Sequence, residues 1–157
     1  MIINICGYEV IIDKDDYEKI IAHRRHVKQI TRNAVYFQTR YSKNEKRKGR
    51  FILHRLIMNA PKGVIVDHIN GKTLDNRKQN LRLCSHSENV KNAGVNKNNR
   101  LGVKGVRKLD NHYEARIQCN KKRLFIGCFM TLEEAETAYK QKANELFGEF
   151  SRYWRPE

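Results

Sequence analysis

Acidic side chains are scarce in this sequence: 17 Asp and Glu stand against 32 Lys and Arg in 157 residues, a formal charge of +15. Its four cysteines, Cys6, Cys84, Cys119 and Cys128, are scattered and form no CxxC pair. A structural zinc site generally wants closely spaced ligands, so no structural zinc is expected. In a reducing compartment the four thiols are small, partly buried hydrophobes. Long hydrophobic runs are also lacking, and none approaches the roughly 18 residues that a membrane-spanning helix needs. The first residues, MIINICGYEVIIDKDD, offer no basic n-region followed by an apolar h-region. The expectation is therefore an intracellular protein without a secretory signal and without a membrane partner. What remains, 39% hydrophobic and 31% charged residues, is polar but not the composition of a fully disordered chain.

A charge excess of this size repels itself in the compact state, so it usually matches a polyanionic partner. Nucleic acid is the leading candidate, because phosphate contacts release condensed counterions and drive binding. An anionic membrane surface competes, but the sequence holds no long amphipathic helix with a basic polar face. The plain alternative is a device for solubility.

The charge is unevenly placed. Residues 101–130 hold 7 basic and 2 acidic side chains, whereas 131–157 hold 4 and 6. That polarity coincides with a change of period. Segments 102–107, 112–119 and 123–129 carry β-branched and aromatic residues and are separated by turn signals at Asp110-Asn111 and Asn120-Lys121. They predict a three-stranded antiparallel sheet. Thr131-Leu-Glu-Glu134 then forms a capping box, and Leu132, Ala135, Tyr139, Ala143 and Leu146 recur at helical steps up to Gly148, a natural helix-ending residue. A helix covering one face of the sheet leaves the other, basic face open as a binding surface.

Upstream, KNAGVNKNNR (91–100) has almost nothing to bury, and its residues 93–100 read as a linker. In the first 60 residues, Tyr8–Ile12 predicts a strand, Asp13 is placed to cap a short helix around 14–22, and Val27–Ile30 with Ala34–Tyr41 predicts a hairpin. Ser42–Arg50 is a basic loop, open to DNA contact or to simple solvation. Phe51–Met58, FILHRLIM, predicts a helix carrying His54 and Arg55; His54 reads as structural rather than catalytic, while Arg55 could touch a phosphate.

Residues 64–92 read VIVDHINGKTLDNRKQNLRLCSHSENVKN. An apolar strand runs into Asp67-His68, a loop rich in Asn, Gly and Asp follows, Leu81–Cys84 forms a second short strand, and Ser85-His-Ser-Glu88 caps a helix bearing Asn89. Neighbouring strand residues point to opposite sides, so Asp67 and His68 can serve different atoms of one scissile phosphate. Hydrolysing a phosphodiester needs an activated water, charge relief on the non-bridging oxygens and stabilisation of the leaving oxygen. A neutral imidazole suits the first of these. A hard divalent cation on a carboxylate and an amide oxygen suits the others. His86 lies nearby, in a cap position, and receives no role.

On this stretch, residues 51–92 resemble the HNH (His-Me finger, ββα-metal) nucleases, particularly the phage and intron homing endonucleases. The resemblance implies His68 as general base, Asp67 and Asn89 as ligands of one Mg²⁺ or Mn²⁺, and Asn80 as the middle Asn that ties the loop together. Asn stands at the last position instead of His, as in the homing branch. The products implied carry 5′-phosphate and 3′-hydroxyl ends, and one site per chain implies nicking unless two chains act together.

Residues 101–154, GVKGVRK…HYEARIQ…KRLFIGCFMTLEEAETAYKQKANELFGEF, resemble APETALA2/ethylene-response-factor-type DNA-binding domains. In that family the sheet lies in the major groove, which places Lys104, Arg107, Arg116, Gln118, Arg123 and Phe125 against phosphates and bases. Tyr113 replaces the usual Trp and reads as packing, Leu109 replaces a basic residue, and Arg116 stands where an acid is common. The plant target therefore does not transfer.

The sequence thus predicts an α+β chain. Residues 1–92 would hold a β-rich region and the ββα nuclease module (core about 64–92), 93–100 a linker, and 101–157 a three-stranded sheet packed on one helix. The expected function is a homing-type DNA endonuclease acting on double-stranded DNA in the cytoplasm of a bacterial or phage-infected cell, as a monomer or dimer with no obligate protein partner evident. Two rivals stay open: a DNA-binding regulator with a degenerate nuclease module, and an RNA-directed protein.

Overall fold

The structure, a computed structural model, describes residues 1–22, 25–30, 35–40, 50–96 and 98–154. The chain divides into two compact units, Met1–His86 and Ser87–Glu157. Helices and small antiparallel sheets mix in both, so the chain is α+β.

The first unit opens with the hairpin β1 (Ile2–Ile5) and β2 (Tyr8–Ile11). Cys6 and Gly7 turn it with φ of 52° and 83°, the pair of left-handed residues that a tight two-residue hairpin demands. A 3₁₀ turn, Lys14–Asp16, leads into α1 (Tyr17–Ile21). Asp13 stands at the N-terminus of that turn but makes no cap with its side chain. Its Oδ2 instead accepts the backbone N–H of Lys78 at 2.8 Å, a partner from a distant loop that sequence proximity could not reveal.

Next come β3 (Arg25–Ile30) and β4 (Val35–Arg40), paired antiparallel as the hairpin reading expects. Most of the basic loop at 42–50 lies outside the described residues. FILHRLIM is not helical throughout. Arg50–Ile52 forms β5, paired to β4 with Ile52 opposite Gln38, and only Leu53–Ile57 forms helix α2. A short apolar run suits a buried strand and a buried helix equally, and here the open edge of β4 claims its first residues. β6 (Ile65–His68) and β7 (Leu81–Cys84) then pair antiparallel, with Asp67 opposite Arg82 and His68 opposite Leu81. The core is one cluster built from the hairpin (Ile5, Val10, Ile12), Ile20, Phe37, Leu53 and Ile57 of α2, Val66 and Leu81.

Helix α3 (His86–Asn92) follows directly after Ser85. In the second unit, β8 (Val106–Leu109), β9 (His112–Cys119) and β10 (Lys122–Phe129) form an antiparallel sheet in the order β10-β9-β8. Its first strand starts at Val106 and not at 102. Gly102 and Gly105 adopt φ of 69° and 74° and keep the preceding residues in turns. Gly105 is also sterically required, since a Cβ there would lie 2.0 Å from the Tyr139 ring and 2.5 Å from the Arg116 carbonyl. Asn120 and Lys121, at φ of 50° and 62°, turn β9 into β10.

Helix α4 (Leu132–Phe147) begins with the capping box intact: Thr131 Oγ1 accepts from Glu134 N and Glu134 Oε2 accepts from Thr131 N, both at 3.2 Å. Its Ala135, Tyr139, Ala143 and Phe147 are buried. They pack in two clusters against Val106, Ala115 and Ile117 of the sheet. Among the described residues no helix is long and apolar enough to cross a membrane.

Candidate active site

Strand β6 delivers Asp67 and His68 side by side, and both are buried. Their surroundings differ. Arg82, the cross-strand partner of Asp67, sends Nε and Nη2 to one carboxylate oxygen, Oδ2, at 3.0 and 2.7 Å. His68 faces aromatic neighbours. The His54 ring centroid lies 5.1 Å away, nearly edge-on, and the Tyr36 ring 6.4 Å away. Burial pushes the His68 imidazole below its usual range, against smaller opposing effects from Asn76, Asp67 and Asp75. His54 is pushed down to about 3, by burial first and then by His68 and Arg55. Both rings are neutral at pH 7, and burial also raises the Tyr36 phenol above its ordinary value.

The tautomer of His68 follows from Asn76, which is 1% exposed. Asn76 Nδ2 donates to the Thr73 carbonyl at 3.2 Å, so its Oδ1 is the atom facing His68 Nε2, at 3.3 Å. An amide oxygen only accepts, so Nε2 carries the hydrogen and Nδ1 carries the lone pair. Asn76 is fixed in turn by its backbone N–H, which donates to Ile11 on β2 at 2.8 Å.

Asn80 closes the loop between the strands. Its Oδ1 accepts from Asn70 N at 3.0 Å, its Nδ2 donates to the Asp75 carbonyl at 2.7 Å, and its own carbonyl accepts from Ile69 N at 2.9 Å. A single amide thus satisfies both ends of the loop, a use of asparagine that its donor–acceptor pair permits. Asp75, buried and held below the usual carboxylate range chiefly by the Arg77 guanidinium, completes the knot.

Arg55 turns inward. It donates to the carbonyls of Val64, Ala60 (3.4 Å) and Pro61 (2.7 Å), which satisfies the backbone after α2. Asn89 lies on α3 in the second unit, half-buried. Among the described residues no group of three or more His, Cys, Asp or Glu gathers in a way that could hold a metal ion. The oxygen donors that the motif offers, a carboxylate and an amide, suit a hard divalent cation and would leave most of its shell to water and phosphate oxygens. Arg82 already takes Oδ2 of that carboxylate.

In the second unit, strand alternation puts Glu114, Arg116 and Gln118 on the sheet face away from α4. Arg107 pairs across from Glu114, Phe125 from Arg116 and Arg123 from Gln118, so five of the six predicted DNA contacts share that face. Phe125 is 60% exposed there. Lys104 is spent differently: Nζ donates to the carbonyls of Lys91 (3.3 Å) and Ala93 (2.7 Å) at the end of α3. Burial, with Arg152 beside it, lowers its ammonium from the usual lysine value.

Sequence reasoning missed Arg82, Asn76, Tyr36 and Glu114. Arg82 was within reach, because antiparallel pairing of the two short strands sets it opposite Asp67. Asn76 and Tyr36 carried no signal beyond their own segments.

Residues 53–91 match the sequence profile of a family described as HNH endonuclease. The chain is 36% identical over 110 residues to a protein of Acanthamoeba polyphaga mimivirus named an uncharacterized HNH endonuclease, L560, covering 66% of this chain and 57% of that one. It is 32% identical over 95 residues to Protein 3.8 of Escherichia phage T7, covering 59% of this chain and 78% of that one. The chain thus spans little more than half the length of its mimivirus relative. No solved structure matches. The buried histidine beside an aspartate, closed in by an asparagine-tied loop, lies inside residues 53–91, which form an HNH endonuclease domain.

Proposed function

We propose that the chain is a homing-type DNA endonuclease that hydrolyses one phosphodiester bond per site. The observation that carries this reading is the fixed state of His68: neutral through burial, with Nε2–H committed to Asn76 and the lone pair on Nδ1. That nitrogen takes a proton from the attacking water as the oxygen closes on phosphorus. The 3′ oxygen then leaves, giving the 5′-phosphate and 3′-hydroxyl ends that the family implies. Asn80 holds the loop, and through it the strand ends, in one geometry. Asp67 and Asn89 would hold one Mg²⁺ or Mn²⁺, an assignment that rests on their places in the motif. When bound, the ion relieves charge on the phosphate and on the leaving oxygen. Arg107, Arg116, Gln118, Arg123 and Phe125 place the second unit, the domain read at 101–157, on duplex DNA. The overall +15 charge adds affinity that is indifferent to sequence and sensitive to salt.

The rival reading, a DNA-binding regulator that no longer cuts, draws support from Arg82, whose grip on Asp67 is also what a purely structural carboxylate would show. Incubating the full chain with supercoiled plasmid carrying the flanking DNA of its own gene, in Mg²⁺, Mn²⁺ or EDTA, separates the two. Nicked circles in either metal and none in EDTA are the expected result. Intact plasmid in every lane, with binding retained, establishes the regulator.

A further inference from the structure

On the open sheet face of the second unit, one carboxylate sits where a phosphate-binding surface has least use for it. Glu114 is 5% exposed, is the third residue of β9 and is flanked by Arg107 and Arg116. Arg107 Nε donates to Oε1 at 2.7 Å and its Nη2 approaches Oε2 at 3.2 Å. Arg116 Nη2 donates to Oε2 at 2.8 Å, while its Nε lies 2.6 Å from Oε1, off the line of its N–H. Both carboxylate oxygens are therefore shared between two guanidiniums, and the guanidiniums cover the carboxylate from solvent.

The way each arginine is held matters. Each meets Glu114 through its Nε/Nη2 edge, which leaves the outer N–H groups, those on Nη1 and the second on Nη2, turned to other partners. The two side chains themselves remain 58% and 40% exposed. A free arginine samples many rotamers and loses that freedom on binding, whereas a pair fixed beforehand has already lost it. A planar guanidinium held edge-out matches the O6/N7 acceptor pair that guanine presents in the major groove. The hydrogen bonds from Arg107 and then Arg116 hold the Glu114 carboxyl below its usual range, so the arrangement persists at neutral pH.

We infer that Glu114 is a positioning residue that holds Arg107 and Arg116 as a fixed pair, and that their outer edges read two guanine-bearing base pairs in the major groove. This rests on the proposal that the second unit binds duplex DNA. It adds a readout chemistry and a residue whose charge, by itself, opposes binding.

The test uses the full chain and a pool of randomised 20-base-pair duplexes, selected in EDTA. The most enriched duplex and a scrambled duplex of equal composition are then compared over a salt series. Enrichment of guanine at two fixed positions is expected. Glu114→Gln should cut the ratio of selected to scrambled affinity about tenfold or more, while scrambled affinity rises, because one negative charge is gone. Arg107→Lys and Arg116→Lys keep the charge and lose the fork; each should relax one guanine position. A parallel fall in selected and scrambled affinity for Glu114→Gln means a merely structural role and overturns the inference. So does a ratio within about twofold of the parent chain, or a pool that enriches no sequence although duplexes bind. Failure to bind any duplex overturns the underlying proposal as well.

Discussion

The two units use polar side chains in opposite ways. In the first, His68, Asn76 and Asn80 are buried and neutral, and each is pinned by hydrogen bonds to backbone or to another amide. In the second, five predicted DNA contacts stand on an open face, and the one buried acid there serves the arginines around it. A group that must transfer a proton needs a defined tautomer and a low charge at rest, which burial supplies. A surface that must find phosphate and base edges needs charge that is exposed yet ordered, which a single buried carboxylate supplies at the cost of one unit of attraction. On the proposed function the asymmetry follows from chemistry, since bond-breaking is built by excluding water and recognition by rationing it.

The sharpest break in that comparison is His68→Ala. Cleavage should fall by about two to four orders of magnitude, as loss of a general base predicts, with duplex affinity nearly unchanged by filter binding or fluorescence anisotropy. A parallel loss of affinity would mean that the first unit had collapsed and that the division of labour is not real.

The next effect concerns acid. His54 takes up a proton near pH 6.5 when unfolded but only near 3 when folded, so its neutral burial favours the fold above pH 6.5. That advantage drains away as pH falls toward 3, by at most about 5 kcal/mol. Urea midpoints between pH 7.5 and 4.5 should drop for the parent chain and drop less for His54→Phe. Equal slopes would remove the histidine pair from the account of the first unit's stability.

Gly105→Ala strikes the second unit. The added methyl group meets Tyr139 and the Arg116 carbonyl at a left-handed backbone position, so a loss of about 3 kcal/mol is expected. Fluorescence of Trp154, the sole tryptophan, reports that unit during denaturation. Asn80→Ala removes both ends of the loop tie and should cost about 1–3 kcal/mol, with cleavage falling further than stability explains. The smallest change is Thr131→Ala, about 1 kcal/mol through loss of the helix cap, which should leave cleavage untouched.

Much of the fold is legible in local sequence. The capping box at Thr131–Glu134, the left-handed pair Asn120-Lys121 and the ordered Asp67-His68…Asn80 run are short-range signals, and short-range physics decides them. The split of FILHRLIM into strand and helix was not legible, because a distant edge on β4 settles it. Nor was the fate of Arg55 and Lys104. Arg55 reads as a phosphate contact from its charge and Lys104 as a DNA contact from the family resemblance; the structure adds that both donate to backbone carbonyls, a demand set by the fold and invisible in composition. Glu114 was overlooked for the complementary reason: in a stretch read for its cations, an acid looks like noise until strand register sets two arginines around it.

The grip of Arg82 on Asp67 has a last consequence. A buried carboxylate left alone is expensive, and many metalloproteins unravel when their ion is stripped away. Here a resident guanidinium already balances the charge, so chelation should silence the enzyme while leaving its melting curve where it was. On the proposed function, such a protein would rest on DNA in a harmless state until a divalent cation and a phosphate arrive together.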